Sequence, residues 1–387
     1  MNKKIILPAF IGNALEYYDF TLFAVFSAEI AKVFFPNQED FSQILLSLAV
    51  FAVGFLMRPL GAIIFGHIGD KLGRKKALTI SMACMAIPTF MMGILPGYET
   101  LGSFAPMFLI SLRLIQGISI GGEGAGSAIF VLEHNQGLKL GYLGGMITAS
   151  NFIGAFCATL VGLGISYFGL SIISWRYAFI LGGFLGLVSF YLRLQTRETP
   201  IFEEVERRGE IVKLPLLVAL TINKREMLLS GFLGGLVGAV AYMILAYINI
   251  FFNKIVGLSP SLSLLYAAIG IGSYIACLPF SGMLSDKVGY LRSTLQACCY
   301  TAVLIIPLFI IMGINHPVLS IIMIALLGAL GAWICAPAYP IMLSIFPAKQ
   351  RYSGIAFSFN LGIALFGGTA PIISAYLTKL TGRFSIF

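Results

Sequence analysis

Charge is what this sequence has least of. Only 11% of its 387 residues are Asp, Glu, Lys or Arg, while 58% are hydrophobic and the mean hydropathy is +0.94. Soluble domains carry about 25% charged residues, and a soluble chain this apolar would expose large adhesive patches. A water-soluble domain is excluded. The chain is predicted to cross a lipid bilayer many times.

Other absences narrow the chemistry. The six cysteines all lie in apolar runs, none at metal-ligand spacing, and adjacent Cys298 and Cys299 are not a CxxC pair. They fit small polarisable packing residues, so no metal site is expected. No Walker loop, HExxH, nucleophile elbow or strand-borne GxGxxG occurs, so neither enzyme chemistry nor a bound cofactor is expected. That leaves an ion gradient as the energy source. The three histidines, His67, His134 and His316, fall near loop ends, which indicates no proton-carrying histidine within the membrane. A net charge of +9 would suit nucleic acid, but the bases sit in short gaps between apolar runs and form no stripe with interleaved aromatics.

What is present is a succession of long apolar segments. A spanning helix needs about 20 mostly apolar residues. That criterion predicts eleven, near 5–34, 42–66, 77–96, 104–133, 138–168, 174–194, 226–254, 260–284, 293–313, 317–346 and 352–380. The opening MNKK is not followed by the short apolar core of a secretory signal, about 7–15 residues. Its run continues from Ile5 to Phe35 and reads as a first membrane helix. The longest polar stretch, with mixed charges, predicts a partly helical linker. The expected organisation is an all-α membrane protein with an N-terminal bundle (1–194), a linker (195–225) and a C-terminal bundle (226–387). With the N-terminus cytoplasmic, eighteen Lys and Arg fall in inner loops and five outside (Lys32, Arg176, Lys254, Lys379, Arg383), leaving Arg58 and Arg113 within the membrane. That asymmetry predicts the N-terminus inside.

One loop occurs twice. GHIGDKLGRKK (Gly66–Lys76) and GMLSDKVGYLR (Gly282–Arg292) share Gly, Asp, Lys and Gly at a constant offset. The glycines permit a tight helix-to-helix turn, the aspartate can cap a helix N-terminus, and the bases hold the loop inside. The repetition implies two related halves.

These residues resemble the signature loop of the major facilitator superfamily. RLIQGISIGGEGAGSAIFVLE (Arg113–Glu133) resembles the fourth helix of its metabolite:proton symporter branch. GNALEYYDF (Gly12–Phe20), RPLGAIIFG (Arg58–Gly66), SWRYAF (Ser174–Phe179), ETP (Glu198–Pro200) and FNLGIALFGGTAP (Phe359–Pro371) are similar too. That branch includes proline/betaine, citrate, α-ketoglutarate, shikimate and dicarboxylate carriers. The resemblance implies two pseudo-symmetric bundles around a central cavity lined mainly by helices 1, 4, 7 and 10, with alternating access to a midplane site. It implies proton-coupled symport of a small organic solute, a carboxylate or a zwitterion, in a bacterial inner membrane, with a monomer expected. Gly66, Asp70, Gly73, Arg74, Asp286 and Arg292 of the two loops, with Arg58 and Glu133, become gating residues. Three departures stand out. Tyr290–Leu291 replaces the Arg74–Lys75 of the first loop, Leu140 precedes Gly141 where the family has Arg, and the chain stops at Phe387 after the eleventh predicted helix. A twelfth helix is expected to be missing, with the tail TKLTGRFSIF outside. The alternatives are therefore a truncated, non-transporting or sensor-like remnant, or a drug exporter.

Charges within hydrocarbon cost about 2.5–3.5 kcal/mol each even on lenient scales. Yet Glu16, Asp19, Arg58, Arg113 and Glu123 are all placed deep. At about 1.5 Å per residue, Glu16 lies roughly 16 Å and Asp19 about 20 Å up the first helix, and Arg113 about 14 Å down the fourth. In a core of about 30 Å these depths nearly coincide, so Arg113 is expected to pair with Glu16 or Asp19. Asn13, Glu16 and Tyr17 form one stripe. Gln116, Asn151, Trp333 and Asn360 lie at similar depth, and Tyr247 on the seventh helix can join them as a substrate contact. Asp19, ahead of Glu16, is expected to exchange a proton while Arg113 holds a substrate carboxylate. Capture of Arg113 by substrate would remove the cation that keeps the acid ionised. A fixed pair locking the two helices is the alternative. Glu123 is read either as a proton relay or as a partner of Arg58, and Glu133 as an interfacial salt-bridge residue.

Overall fold

The computed structural model describes residues 3–36, 39–135, 137, 139–167, 174–314, 316–367, 369, 373 and 374. The last predicted helix beyond 374, Pro371, Lys379, Arg383 and the tail lie outside the described residues. Every element among those described is helical, as hydrocarbon demands: backbone groups there must be satisfied within their own segment. Nine helices are long and apolar enough to span a membrane among the described residues.

The first predicted helix is two, α1 (Lys3–Val25) and α2 (Ser27–Phe34), separated at Phe26. The second is likewise α3 (Asp40–Leu56) and α4 (Arg58–Lys71), with Pro59 at the start of α4, where a missing N–H costs nothing. Then come α5 (Arg74–Ile94), the single turn α6 (Tyr98–Leu101), α7 (Phe104–His134), α8 (Leu140–Tyr167) and α9 (Trp175–Leu194). The polar linker carries α10 (Pro200–Arg207) and α11 (Pro215–Ile222). Thr199 caps α10, its hydroxyl accepting from Phe202 N at 3.2 Å.

Beyond the linker run α12 (Lys224–Tyr242), the short α13 (Ile248–Ile250), α14 (Pro260–Val288) and α15 (Tyr290–Gly313). They are followed by α16 (Pro317–Cys335), α17 (Ala338–Ile345) and α18 (Arg351–Gly362). Met243–Tyr247, Phe251–Ile255 and Ile363–Gly367 are π-helical. Single π turns inside helices often mark functional positions, and no residue pattern predicted these.

The chain forms two compact units. Unit 1 comprises Met1–His134, Ser150–Ile222 and Pro347–Phe357; unit 2 comprises Asn135–Ala149, Asn223–Phe346 and Ser358–Phe387. In unit 1, α5 packs on α9 and α7, and α1 lies against α7 and α9. Tyr18, Phe23, Leu109, Trp175 and Phe179 are buried together there. In unit 2, α14, α15 and α16 form one packed group, and Ile363–Gly367 lies along α12.

Helices in lipid attract one another chiefly by close packing, which small residues allow. A Cβ at Gly61 would collide with the Ile118 carbonyl, and one at Gly154 with the Ala14 carbonyl. By contrast, Gly272 has open space around it. Gly61→Ala is predicted to lower detergent-solubilised stability by about 1–3 kcal/mol through overpacking. Gly272→Ala should leave the melting temperature unchanged, and parallel thermal unfolding of both variants checks the pair.

Candidate functional site

Unit 1 gathers its buried charges into three groups. In the first, Asp19 Oδ2 accepts from Arg113 Nη1 at 2.9 Å, and both side chains are buried. Thr89 Oγ1 lies 3.0 Å from Asp19 Oδ1, and Gln116 Nε2 donates to Thr89 at 2.8 Å. The Arg113 guanidinium lies 3.8 Å from the centroid of the Phe23 ring, whose π-face attracts it. Of the two partners that depth left open for Arg113, the contact is made by Asp19.

Glu16, one turn away, faces Arg58 at 3.9 Å. Asn13, the next polar residue of that stripe, accepts from Ser127 Oγ at 2.6 Å. Tyr17 packs near Phe152 of α8, ring centroids 6.1 Å apart, and Asn151 is buried beside it in sequence.

The second group was not expected. Arg193, near the end of α9, forms a two-pronged pair with Glu123, Nη1 meeting Oε2 at 2.7 Å and Nη2 meeting Oε1. Ser81 Oγ donates to Glu123 Oε2 at 2.6 Å, and Arg193 also reaches the Leu78 carbonyl at 2.8 Å. Glu123 is thus held by Arg193, while Arg58 faces Glu16. Arg193 belongs to the interior rather than to the basic loop in which its sequence position placed it. The enabling residue is Gly12, where a Cβ would occupy the place of the guanidinium.

A third network lies at the ends of α4 and α7. Asp70 accepts from Tyr352 N at 3.1 Å and Ser353 N at 2.8 Å, capping α18. Arg74 lies 3.5 Å from Asp70 and 3.3 Å from Glu133, and donates to the Ala348 carbonyl at 2.6 Å. Glu133 also binds Arg351 at 2.9 Å and accepts from Thr199 at 2.7 Å. A Cβ at Gly66 would press on Ser353. Gly73, with φ of 110°, sits where a Cβ would strike Glu198, whose carboxylate accepts from Lys75 N at 3.1 Å. Burial outweighs those contacts and holds the Glu198 carboxyl above the usual range. In unit 2 the second loop repeats the cap: Asp286 accepts from Gly141 N at 2.7 Å and Tyr142 N at 2.9 Å. Tyr290, standing where the first loop has Arg74, donates its hydroxyl to Asp286 at 3.2 Å. Arg292 is exposed.

Also in unit 2, Trp333 donates its indole N–H to Ser293 at 2.9 Å and stacks on Tyr300. Tyr247 is enclosed against Phe251 and Phe309, and Asn360 is buried.

Ser81, Thr89, Ser127, Arg193, Thr199 and Arg351 were not singled out from sequence. Only Arg193 carried a signal: it lies inside the apolar run Tyr191–Leu194. Removing one partner of a buried pair costs about 3–5 kcal/mol, whereas replacing both with apolar side chains is often neutral. Arg193→Met is therefore predicted to lower thermal stability sharply, and adding Glu123→Leu to recover most of the loss. Detergent melting curves of the single and double variants test this.

The Major Facilitator Superfamily model matches residues 9–383. The chain is 30% identical to the ectoine/proline transporter ProP of Corynebacterium glutamicum, over 98% of this chain and 80% of that protein. It is 31% identical to the inner membrane metabolite transport protein YhjE of Escherichia coli, over 97% of this chain and 88% of that one. Among solved structures, the proton:xylose symporter XylE superposes with a TM-score of 0.73 at 17% identity, over 98% of this chain and 89% of that one, a likeness of fold. The chain belongs to the Major Facilitator Superfamily and is a multi-pass membrane transporter, not an enzyme.

Proposed function

We propose that the chain is a proton-coupled symporter of a small organic solute bearing a carboxylate, an organic acid or a zwitterion such as proline or betaine. The observation that carries this reading is the Asp19–Arg113 pair, buried with Thr89 and Gln116 between α1, α5 and α7. Ionisable side chains within a membrane are functional by default. A planar guanidinium is suited to a carboxylate. When a substrate carboxylate binds Arg113 as well, the guanidinium charge is shared between two anions and Asp19 binds a proton; release of either reverses both. Glu16 and Glu123 are the further acids of the proton route, with Arg193 holding Glu123 in place.

In unit 1, Asn13, Tyr17, Gln116 and Asn151 are the proposed substrate contacts beside Arg113. In unit 2, Trp333, Asn360 and Tyr247 are proposed contacts. Transport would proceed by alternating access, two related bundles (1–194 and 226–387) joined by the 195–225 linker. The end-loop network of Gly66, Asp70, Gly73, Arg74 and Glu133, its counterpart Asp286 with Arg292, and Arg58 would gate it. The names of the relatives support an osmolyte or metabolite substrate, and the distribution of Lys and Arg supports a cytoplasmic N-terminus in a bacterial inner membrane. The working unit is a monomer.

Asp19→Asn in liposomes tests the coupling. Uptake driven by a pH gradient should fall at least tenfold, while exchange of labelled for unlabelled solute continues. Proton-driven uptake at the unsubstituted rate would refute it.

A further inference from the structure

The pairs described above leave part of the α1–α7 interior unused. Arg113 reaches Asp19 through Nη1, while its Nε and Nη2 are buried without a hydrogen-bond partner among the described residues. The Phe23 ring covers one face of the guanidinium. The Nε–Nη2 edge is the two-pronged fork that matches a carboxylate.

One turn along α7, Gln116 is held in a fixed orientation. The single Thr89 hydroxyl proton goes to Asp19 Oδ1 at 3.0 Å or to the Met85 carbonyl at 2.8 Å. Thr89 must then accept from Gln116 Nε2, which fixes the amide and leaves the carbonyl Oε1 buried with no partner among the described residues. One turn along α1 from Asp19, Glu16 Oε2 is buried without a partner as well. A two-pronged donor at Arg113 is therefore followed, three residues along each helix, by acceptors. Three residues rise about 4.5 Å, so the donor and the acceptors stand on successive turns.

We propose that Arg113, Gln116 and Glu16 form a half-site for a small carboxylate carrying a hydrogen-bond donor, N–H or O–H, on its α-carbon. This rests on the reading of Arg113 as the carboxylate holder and adds the chemistry of the other end. The carboxylate takes Arg113 Nε and Nη2; the N–H or O–H donates to Gln116 Oε1 and Glu16 Oε2. A quaternary ammonium has no proton to offer, and a second carboxylate would face the Glu16 oxygen. Sites built around a hydrogen-bonding group discriminate strongly against analogues that lack it. The half-site should therefore reject a fully methylated amine by about tenfold or more.

Binding to the purified full chain, measured by calorimetry, reads this directly. One series is glycine, N-methylglycine, N,N-dimethylglycine and trimethylglycine; a second compares lactate with propionate. The expected result is affinity retained down to the last N–H and lost at least tenfold with the final methyl, or lactate at least tenfold above propionate. The first pattern identifies an amine and the second a hydroxyl. Equal affinity for dimethyl- and trimethylglycine together with equal affinity for lactate and propionate overturns the proposal while leaving Arg113 as carboxylate holder. Failure of every carboxylate to bind removes that reading too. Gln116→Met should flatten the discrimination, a ratio within one preparation that does not depend on the folded fraction. Discrimination unchanged in that variant overturns the assignment of Gln116.

Discussion

A charged side chain surrounded by hydrocarbon must find its opposite or leave, and the interior of unit 1 is arranged around that constraint. Asp19 meets Arg113, Glu123 meets Arg193 and Glu16 faces Arg58. The acids lie on α1 and α7, the bases on α4, α7 and α9. Each pairing therefore ties together helices that lipid alone gives little reason to associate. The glycines follow from the same demand. Gly12 leaves room for the Arg193 guanidinium, and Gly154 brings α8 against the α1 backbone. Such pairs contribute little net stability, because desolvation offsets most of their attraction. The proposed coupling would give them work that requires charge to move.

The two signature loops make the same economy of means with different reinforcement. Asp70 and Asp286 each satisfy two amide groups at the start of a helix, where the helix dipole favours an anion. Around Asp70 the cap is embedded in Arg74, Glu133, Arg351 and Thr199. Around Asp286 only the Tyr290 hydroxyl adds a side-chain contact among the described residues. A guanidinium binds several oxygens at once and a phenol only one, so the first cap is the more strongly held.

Much of this was legible in the residues. Apolar length located the helices, and two antiparallel depth estimates brought Glu16 and Asp19 close to the depth of Arg113 without choosing between them. The paired glycines and aspartates of the loops announced the caps. The break at Phe26 was not legible, because no Gly or Pro marks it; the break at Met57 was marked by Pro59, which the reading of one helix over 42–66 passed through. The π-helical turns have no residue signature. Arg193 was misplaced because a base near the end of an apolar run looks like a loop anchor; only the clearance at Gly12 and the acid at Glu123 show that it folds inward. Ser81, Thr89 and Ser127 were invisible for a related reason. Hydroxyls are common in membrane helices, and their importance arises from the carboxylate or amide opposite them.

The account stands on the claim that substrate and proton compete for the same electrostatic balance at Arg113 and Asp19. The most direct test is the proton stoichiometry of binding, read with a pH indicator in weakly buffered detergent solution as a saturating carboxylate substrate is added. The account predicts uptake of close to one proton per substrate bound, lost in Asp19→Asn. Substrate binding with no proton exchange by the unsubstituted chain would contradict it.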